Sequence, residues 1–264
     1  MVEYINAIIL GIVEGLTEFL PISSTGHLIL VNKFITFDKN FTILFDIVIQ
    51  LGAILSVVFY FWKRLWPFTK DKNENKKIWS IWLKAAVGVL PAIFLGLLLA
   101  SKIEEKLFNP WTVAIALLLG GFIIIYIENK NYNPKITSIS NISFKTAFFI
   151  GIIQCLSMIP GTSRSAATII GAMVLGASRV VATEFSFFLA IPTMIAASSY
   201  SLIKYKTLLN FQQISILLTG FIVSFIVALV VIKFLINFIQ KNNFKIFGYY
   251  RIILAIIIIA CFLK

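Results

Sequence analysis

Glu14-Gly-Leu-Thr-Glu18-Phe-Leu-Pro-Ile-Ser-Ser-Thr-Gly-His27-Leu-Ile-Leu30 places two carboxylates, three consecutive hydroxyls and the only histidine of the chain inside an otherwise apolar N-terminal segment. Ionisable groups within an apolar span cost several kcal/mol unless they line a polar cavity, so they mark function by default. Proline removes an amide donor and clashes with the preceding helical turn. The run Pro21–Gly26 therefore breaks the helix that the flanking residues favour. In lipid, backbone freed in this way is tolerated only where it is buried in protein or lines a wet cavity. The segment 4–31 is accordingly read as a re-entrant hairpin: helix in, polar loop, helix out.

The remainder of the 264-residue chain supports a membrane setting. Hydrophobic residues make up 59% and charged residues 13%, against about 25% charged in soluble domains. The net charge of +12 resides in short loops between apolar blocks. That is the pattern of cytoplasmic loops and excludes a nucleic-acid binder. Cys155 and Cys261 lie far apart in apolar sequence, with neither zinc-ligand spacing nor a disulfide framework. The N-terminus has no basic n-region and carries Glu3, Glu14 and Glu18, so a cleavable signal peptide is not expected.

Spans need about 20 apolar residues. Six segments meet this or nearly so: 45–62, 80–100, 111–127, 184–203, 213–236 and 249–263. A second broken segment, 144–175, is interrupted by Pro160-Gly-Thr-Ser-Arg-Ser165. The two halves run in the same order, hairpin then three spans. Gly11-Ile-Val-Glu14 lies 140 residues before Gly151-Ile-Ile-Gln154, and Pro21–Gly26 lies 139 before Pro160–Ser165. Each half then crosses the membrane an odd number of times, which inverts one relative to the other and brings the two polar tips together. The expected fold is all-α integral membrane, with about six transmembrane helices and two re-entrant hairpins in an inverted-topology repeat. The repeats span about 1–128 and 144–264.

Orientation follows from Lys and Arg. The loop 63–79 carries Lys63, Arg64, Lys70, Lys72, Lys76 and Lys77, and the crossings put Lys130, Lys135, Lys241 and Lys245 on its side. The other side has Lys102, Lys106, Lys204 and Lys206, offset by Glu104 and Glu105. The first side is expected to be cytoplasmic, with both termini and the first hairpin's mouth opposite. Gly52, Gly88, Gly96, Gly120 and Gly121 would permit close helix contacts, and a homodimer is one assembly they allow.

The polar residues divide by chemistry. Glu14 and Glu18, at i and i+4, share a helix face. Two close carboxylates repel in a low dielectric, and a divalent cation, Mg²⁺ or Ca²⁺, resolves that with oxygen ligands. Ser23, Ser24 and Thr25 precede an apolar run, where hydroxyls cap helices; capping accounts for one or two of them and leaves His27 unexplained. Ser24 with His27 three residues on is a nucleophile and base spacing. Arg164 in an apolar segment needs an anion. It either neutralises Glu14 or Glu18 or binds phosphate through its planar fork. Gly161, Thr162, Ser163, Ser165 and Thr168 add amides and hydroxyls at a helix start, a seat for phosphoryl oxygens. Together these parts suit phosphoryl transfer on an amphiphile with a phosphate head and a long tail.

Glu14-Gly-Leu-Thr-Glu18-Phe-Leu-Pro-Ile-Ser-Ser-Thr-Gly-His27 and Pro160-Gly-Thr-Ser-Arg-Ser-Ala-Ala-Thr168, with Gln50-Leu-Gly52, resemble the undecaprenyl-diphosphatases (bacitracin-resistance proteins) of bacteria over the whole chain. The resemblance implies hydrolysis of undecaprenyl diphosphate to the monophosphate on the outer side of the cytoplasmic membrane. It also implies a divalent-metal requirement, recycling of the cell-wall lipid carrier, and bacitracin resistance. By it Glu18, Ser24, His27 and Arg164 are essential, with Glu14, Ser23, Thr25, Ser163, Ser165 and Thr168 supporting. It leaves three attacking groups open: Ser24 Oγ helped by His27 or Glu18, His27 itself, or a metal-activated water. A single histidine argues against the other membrane lipid phosphatases, which use two. The competing class is an inverted-repeat transporter or a flippase of the lipid phosphate, which needs binding groups but no nucleophile.

Overall fold

The apolar runs form helices, and the Pro-Gly-Ser runs end them. The computed structural model describes residues 1–35, 37–130, 133–204 and 209–262. Its helices are α1 (Val2–Thr17), α2 (Ser24–Val31), α3 (Lys39–Tyr60), α4 (Trp62–Leu65), α5 (Lys72–Leu107), α6 (Pro110–Asn129), α7 (Phe144–Gln154), α8 (Arg164–Val174), α9 (Arg179–Lys204), α10 (Phe211–Ile239) and α11 (Lys245–Phe262). Among the described residues, α3, α5, α6, α9, α10 and α11 are long and apolar enough to cross a membrane. The β pairing described is one parallel bridge, Ile136 to Ala177. Lys206 and Leu263 of the expected loop and last span lie outside the described residues.

The expected loop 63–79 is partly helical, which corrects the sequence reading. Trp62–Leu65 forms a turn of helix, and α5 already begins at Lys72, where the Asp71 side chain caps the Asn73 amide at 2.8 Å. A charged first turn extends an apolar helix into water when a capping residue precedes it, and hydropathy alone cannot register that extension. Pro91 and Pro192 lie inside α5 and α9, and both helices continue through them.

Contacts between helix ends sort those ends onto two faces. On one face Gln212 donates to Glu3 at 2.7 Å, Lys204 pairs with Glu104 at 2.6 Å, and Lys33 donates to the Cys261 carbonyl. On the other, Arg64 forks onto Glu184, Arg179 forks onto Glu128, and the Phe244 amide donates to Glu128 at 2.9 Å. The start of α1 and the end of α2 share the first face. The linker before α7 and the residue after α8 share the second, where Lys135 and Ile136 donate to the Gly176 carbonyl at 2.9 and 2.8 Å. Both broken pairs thus return to the side they start from, and they enter from opposite faces.

Several helix contacts recur when the halves are exchanged, although others, such as α8–α9 and α2–α6, have no counterpart. The α1–α10 contact has its counterpart in α7–α5, α3–α10 in α9–α5, and α2–α11 in α8–α6, while α3–α9 and α6–α11 map onto themselves. Two glycine contacts repeat with it. Gly11 lies against the Gly220 carbonyl, and Gly151 against that of Gly88. Small residues allow this approach between apolar helices. Gly52, Gly88, Gly120 and Gly121 all serve contacts inside the chain, against Phe221, Gly151, Arg251 and Gly248.

A Cβ on Gly151 would sit 2.0 Å from the Gly88 carbonyl oxygen, whereas one on Gly96 would meet only a methionine methyl at 3.7 Å. Overpacking costs about 1–3 kcal/mol. Gly151→Ala is expected to lower the thermal unfolding midpoint in detergent by several degrees while Gly96→Ala leaves it unchanged; equal midpoints would refute the contact.

Candidate active site

Each broken pair ends in a strained serine. Ser23 and Ser163 are N-caps of α2 and α8, with φ of 72° and 70°, and are the positive-φ residues other than glycine among those described. Their hydroxyls accept from the Gly26 and Ala166 amides at 3.3 and 3.2 Å. Non-glycine residues held there cost about 1–3 kcal/mol each, and such strain clusters at functional sites. The two serines are 140 positions apart. That corrects the 139-residue offset drawn from the prolines: Pro21 is equivalent to Gly161, and Ser24 to Arg164.

The two tips meet. Ser24 Oγ donates to Glu18 Oε2 at 2.8 Å, and Arg164 Nη2 donates to Glu18 Oε1 at 2.9 Å. One carboxylate from the first half thus holds a hydroxyl of its own tip and the guanidinium of the other. Ser165 Oγ adds a bond to the Leu20 carbonyl at 2.9 Å. Arg164 also donates to the Ser186 carbonyl at 3.2 Å, and its buried Nε has no partner. Of the two carboxylates the sequence offers Arg164, the pairing falls on Glu18.

His27 lies elsewhere. Its Nδ1 donates to the Ser23 carbonyl at 2.7 Å, which in the neutral ring leaves Nε2 accepting from the Tyr250 hydroxyl at 2.7 Å. The ring stacks on Tyr250 with centroids 5.6 Å apart. The expected Ser24 and His27 pair is not formed, and the side chain hydrogen-bonded to Ser24 is Glu18. The period alone would place Ser24 and His27 side by side on α2, but both imidazole nitrogens are taken by the Ser23 carbonyl and Tyr250, and Ser24 turns to Glu18.

A cavity of about 470 Å³ opens from this cluster. Glu18, Ser23, Ser24, Thr25, Gly161, Ser163 and Arg164 form its polar end, joined by Gln50, Gln154 and Thr193. Thr162, Ser165 and Thr168 do not line it. Thr162 closes the turn through its amide, and Thr168, fully buried, bonds Ser186 Oγ at 2.5 Å beneath the floor. The walls come from α5 and α9, including Ile93, Leu97, Ala100 and Met194. Leu97 is 71% exposed, so the apolar wall is continuous with the outer surface of the bundle. Gln154, Thr193, Ser186, Tyr250 and Arg251 were not singled out by sequence reasoning. Arg251 was the legible one, a charge inside an apolar span.

Glu14 is wholly buried beside Glu18 and Asp46, and neither of its carboxylate oxygens has a hydrogen-bond partner. One oxygen each of Asp46 and Asn32 is also orphaned. Among the described residues no three acidic, His or Cys groups are gathered as a metal cage. A hard cation held by one or two carboxylates, water and phosphate oxygens needs no such cage; Glu14 has both oxygens free for it but does not itself line the cavity, and both Glu18 oxygens are engaged by Ser24 and Arg164.

Removing one partner of a buried ion pair costs about 3–5 kcal/mol, because the other charge is left uncompensated. Glu18→Leu and Arg164→Met are each expected to destabilise the protein more than the double substitution does. Additive losses in a thermal-unfolding cycle would show that the pair is not coupled.

A family model described as bacitracin resistance protein BacA matches residues 7–257. Among curated proteins, the chain is 51% identical to the undecaprenyl-diphosphatase of Lachnoclostridium phytofermentans, covering 99% of this chain and 98% of the relative. It is 50% identical to undecaprenyl-diphosphatase 1 of Oenococcus oeni, covering 97% and 95%. With that of Enterococcus faecalis it shares 50%, covering 98% and 97%. Paired broken helices, a common polar tip and half of all positions shared from end to end make this chain a member of the BacA bacitracin resistance protein family.

Proposed function

We propose that this chain hydrolyses undecaprenyl diphosphate to undecaprenyl phosphate and inorganic phosphate, as its relatives' names say of them. By that activity it recycles the cell-wall lipid carrier and confers bacitracin resistance. The observation that carries the reading is Ser24 Oγ at 2.8 Å from Glu18 Oε2, with Arg164 at 2.9 Å from the other oxygen. A base-held hydroxyl beside a guanidinium is what phosphoryl transfer needs, and a binding site alone does not require it. No observation favours the transporter alternative.

In the proposed reaction the diphosphate enters from lipid with its prenyl tail along the α5 and α9 walls. Glu18 takes the Ser24 proton as Oγ bonds to the terminal phosphorus. The bond from that phosphorus to the bridging oxygen breaks, and undecaprenyl phosphate leaves. Arg164, with its unpartnered Nε, and the hydroxyls of Ser23, Thr25 and Ser163 hold the phosphoryl oxygens. Water then attacks the phosphoserine, phosphate departs, and the proton returns to Ser24 through Glu18. Glu14 and Glu18 would hold a divalent cation, Mg²⁺ or Ca²⁺, which when bound supplies charge neutralisation to the phosphate oxygens. His27, tied to Tyr250, orients the tip through the Ser23 carbonyl.

The membrane is the bacterial cytoplasmic membrane, with the loop 63–79 inside. Glu104 and Tyr200, at the far ends of α5 and α9, also line the cavity. They lie on the face opposite that loop, which supports a mouth on the extracytoplasmic side.

Purified protein in detergent is expected to release phosphate from a C55-prenyl diphosphate, and EDTA to stop it. Ser24→Ala and Arg164→Ala are expected to lose at least about 100-fold in kcat, and His27→Ala less. No release by folded wild type that still binds the lipid would refute the enzyme reading. Residual turnover in Ser24→Ala with none in His27→Ala would move the nucleophile.

A further inference from the structure

Arg251 is the largest fully buried side chain among the described residues, at 0% exposure in the middle of α11. All four of its acceptors are backbone carbonyls. Nε donates to Leu117 at 3.4 Å and Nη2 to Ala116 at 3.0 Å, both in α6. Nη1 donates to Pro21 at 3.3 Å, and Nη2 to Gly161 at 3.1 Å. The last two carbonyls are the symmetry equivalents identified above, one on each polar tip. A single guanidinium thus reaches the same backbone atom of both repeats, next to where α6 and α11 cross on the exchange axis.

The surroundings are shaped to admit it. A Cβ on Gly120 would lie 2.3 Å from Arg251 Nη2, so the residue facing the guanidinium must lack one. Gly161, at φ 94°, turns its backbone within contact of Val113, where a Cβ would stand 2.5 Å from the carbonyl oxygen. A desolvated charge without an anionic partner is costly. A planar fork with five donors in fixed directions is the one side chain that can span four carbonyls on three segments.

We infer that Arg251 is a positioning residue that holds the two tips in register, and thereby keeps Ser24 and Arg164 on opposite sides of one phosphoryl group. It touches neither substrate nor reacting atoms. The catalytic part of this inference rests on the phosphatase reading; the clasp itself does not. A lysine in its place keeps the charge but offers a point donor that cannot reach both tips.

The test uses full-length wild type, Arg251→Lys and Gly120→Ala in detergent, compared per folded protein after size-exclusion chromatography. Amide hydrogen exchange is followed at 20–25 and 160–164 together, and phosphate release from the C55-prenyl diphosphate gives kcat and KM. Arg251→Lys is expected to speed exchange about tenfold or more at both tips. It is also expected to raise KM and lower kcat/KM by about 100-fold, the loss attached to a misplacement of about 1 Å. Gly120→Ala, which displaces the guanidinium without removing it, is expected to do the same. Faster exchange confined to α6 and α11, or at one tip only, would overturn the clasp. Loosened tips with unchanged kinetic constants would overturn the positioning role. If wild type releases no phosphate, the function fails while the exchange result still decides the clasp.

Discussion

The buried pair between Glu18 and Arg164 is the constraint on which the structure converges. Its partners stand 146 residues apart in sequence and on tips that enter from opposite faces. Neither charge is tolerable alone in an apolar bundle. Each half therefore supplies what the other half's charge needs, and the fold closes only when the tips meet. The bonds around it act in the same direction: Ser165 to the Leu20 carbonyl, and Arg251 to both tips.

The inverted repeat explains why so small a chain can build such a site. A single broken helix exposes backbone groups and a strained serine, with nothing to satisfy them in lipid. Two broken helices facing each other satisfy one another. Ser24 and Arg164 occupy equivalent positions after strained serine caps, and one is a hydroxyl while the other is a cation. A symmetric scaffold thus carries an asymmetric pair, a hydroxyl on one side and a guanidinium on the other, both bonded to Glu18. The glycine contacts at Gly11 with Gly220 and Gly151 with Gly88 hold the outer helices at matching distances.

Much of this was legible in the sequence, because membrane burial makes polar residues conspicuous. Pro21 and Pro160 marked the breaks, and hydropathy found the six spans. The helix starting at Lys72 was not legible, since its first turns are charged and polar. The repeat predicts Glu14–His27 beside Ser163–Thr168; Glu18 does meet Arg164 while His27 packs on Tyr250 instead, and which acid Arg164 would choose was not readable, since both lie on one helical face. Spacing suggested Ser24 with His27. The structure gives Ser24 to Glu18, because a backbone bond to Ser23 and the hydroxyl of Tyr250 claim both nitrogens of the imidazole. Tyr250 belongs to a span 223 residues away, beyond what local spacing can report. Arg251 was visible as a charge in an apolar run, but its acceptors are carbonyls, which leave no trace in sequence.

Ser24 Oγ, deprotonated by Glu18, is the atom proposed to take the phosphoryl group. That assignment is tested most directly by quenching the purified protein in SDS near neutral pH during turnover of substrate labelled in its terminal phosphate, then mapping the label by mass spectrometry without acid steps. A phosphoserine at Ser24 that disappears in Glu18→Gln is the predicted result. Label on His27, stable to base and lost in acid, would contradict it. So would a full single turnover with no phosphorylated residue at all, which would assign the attack to water.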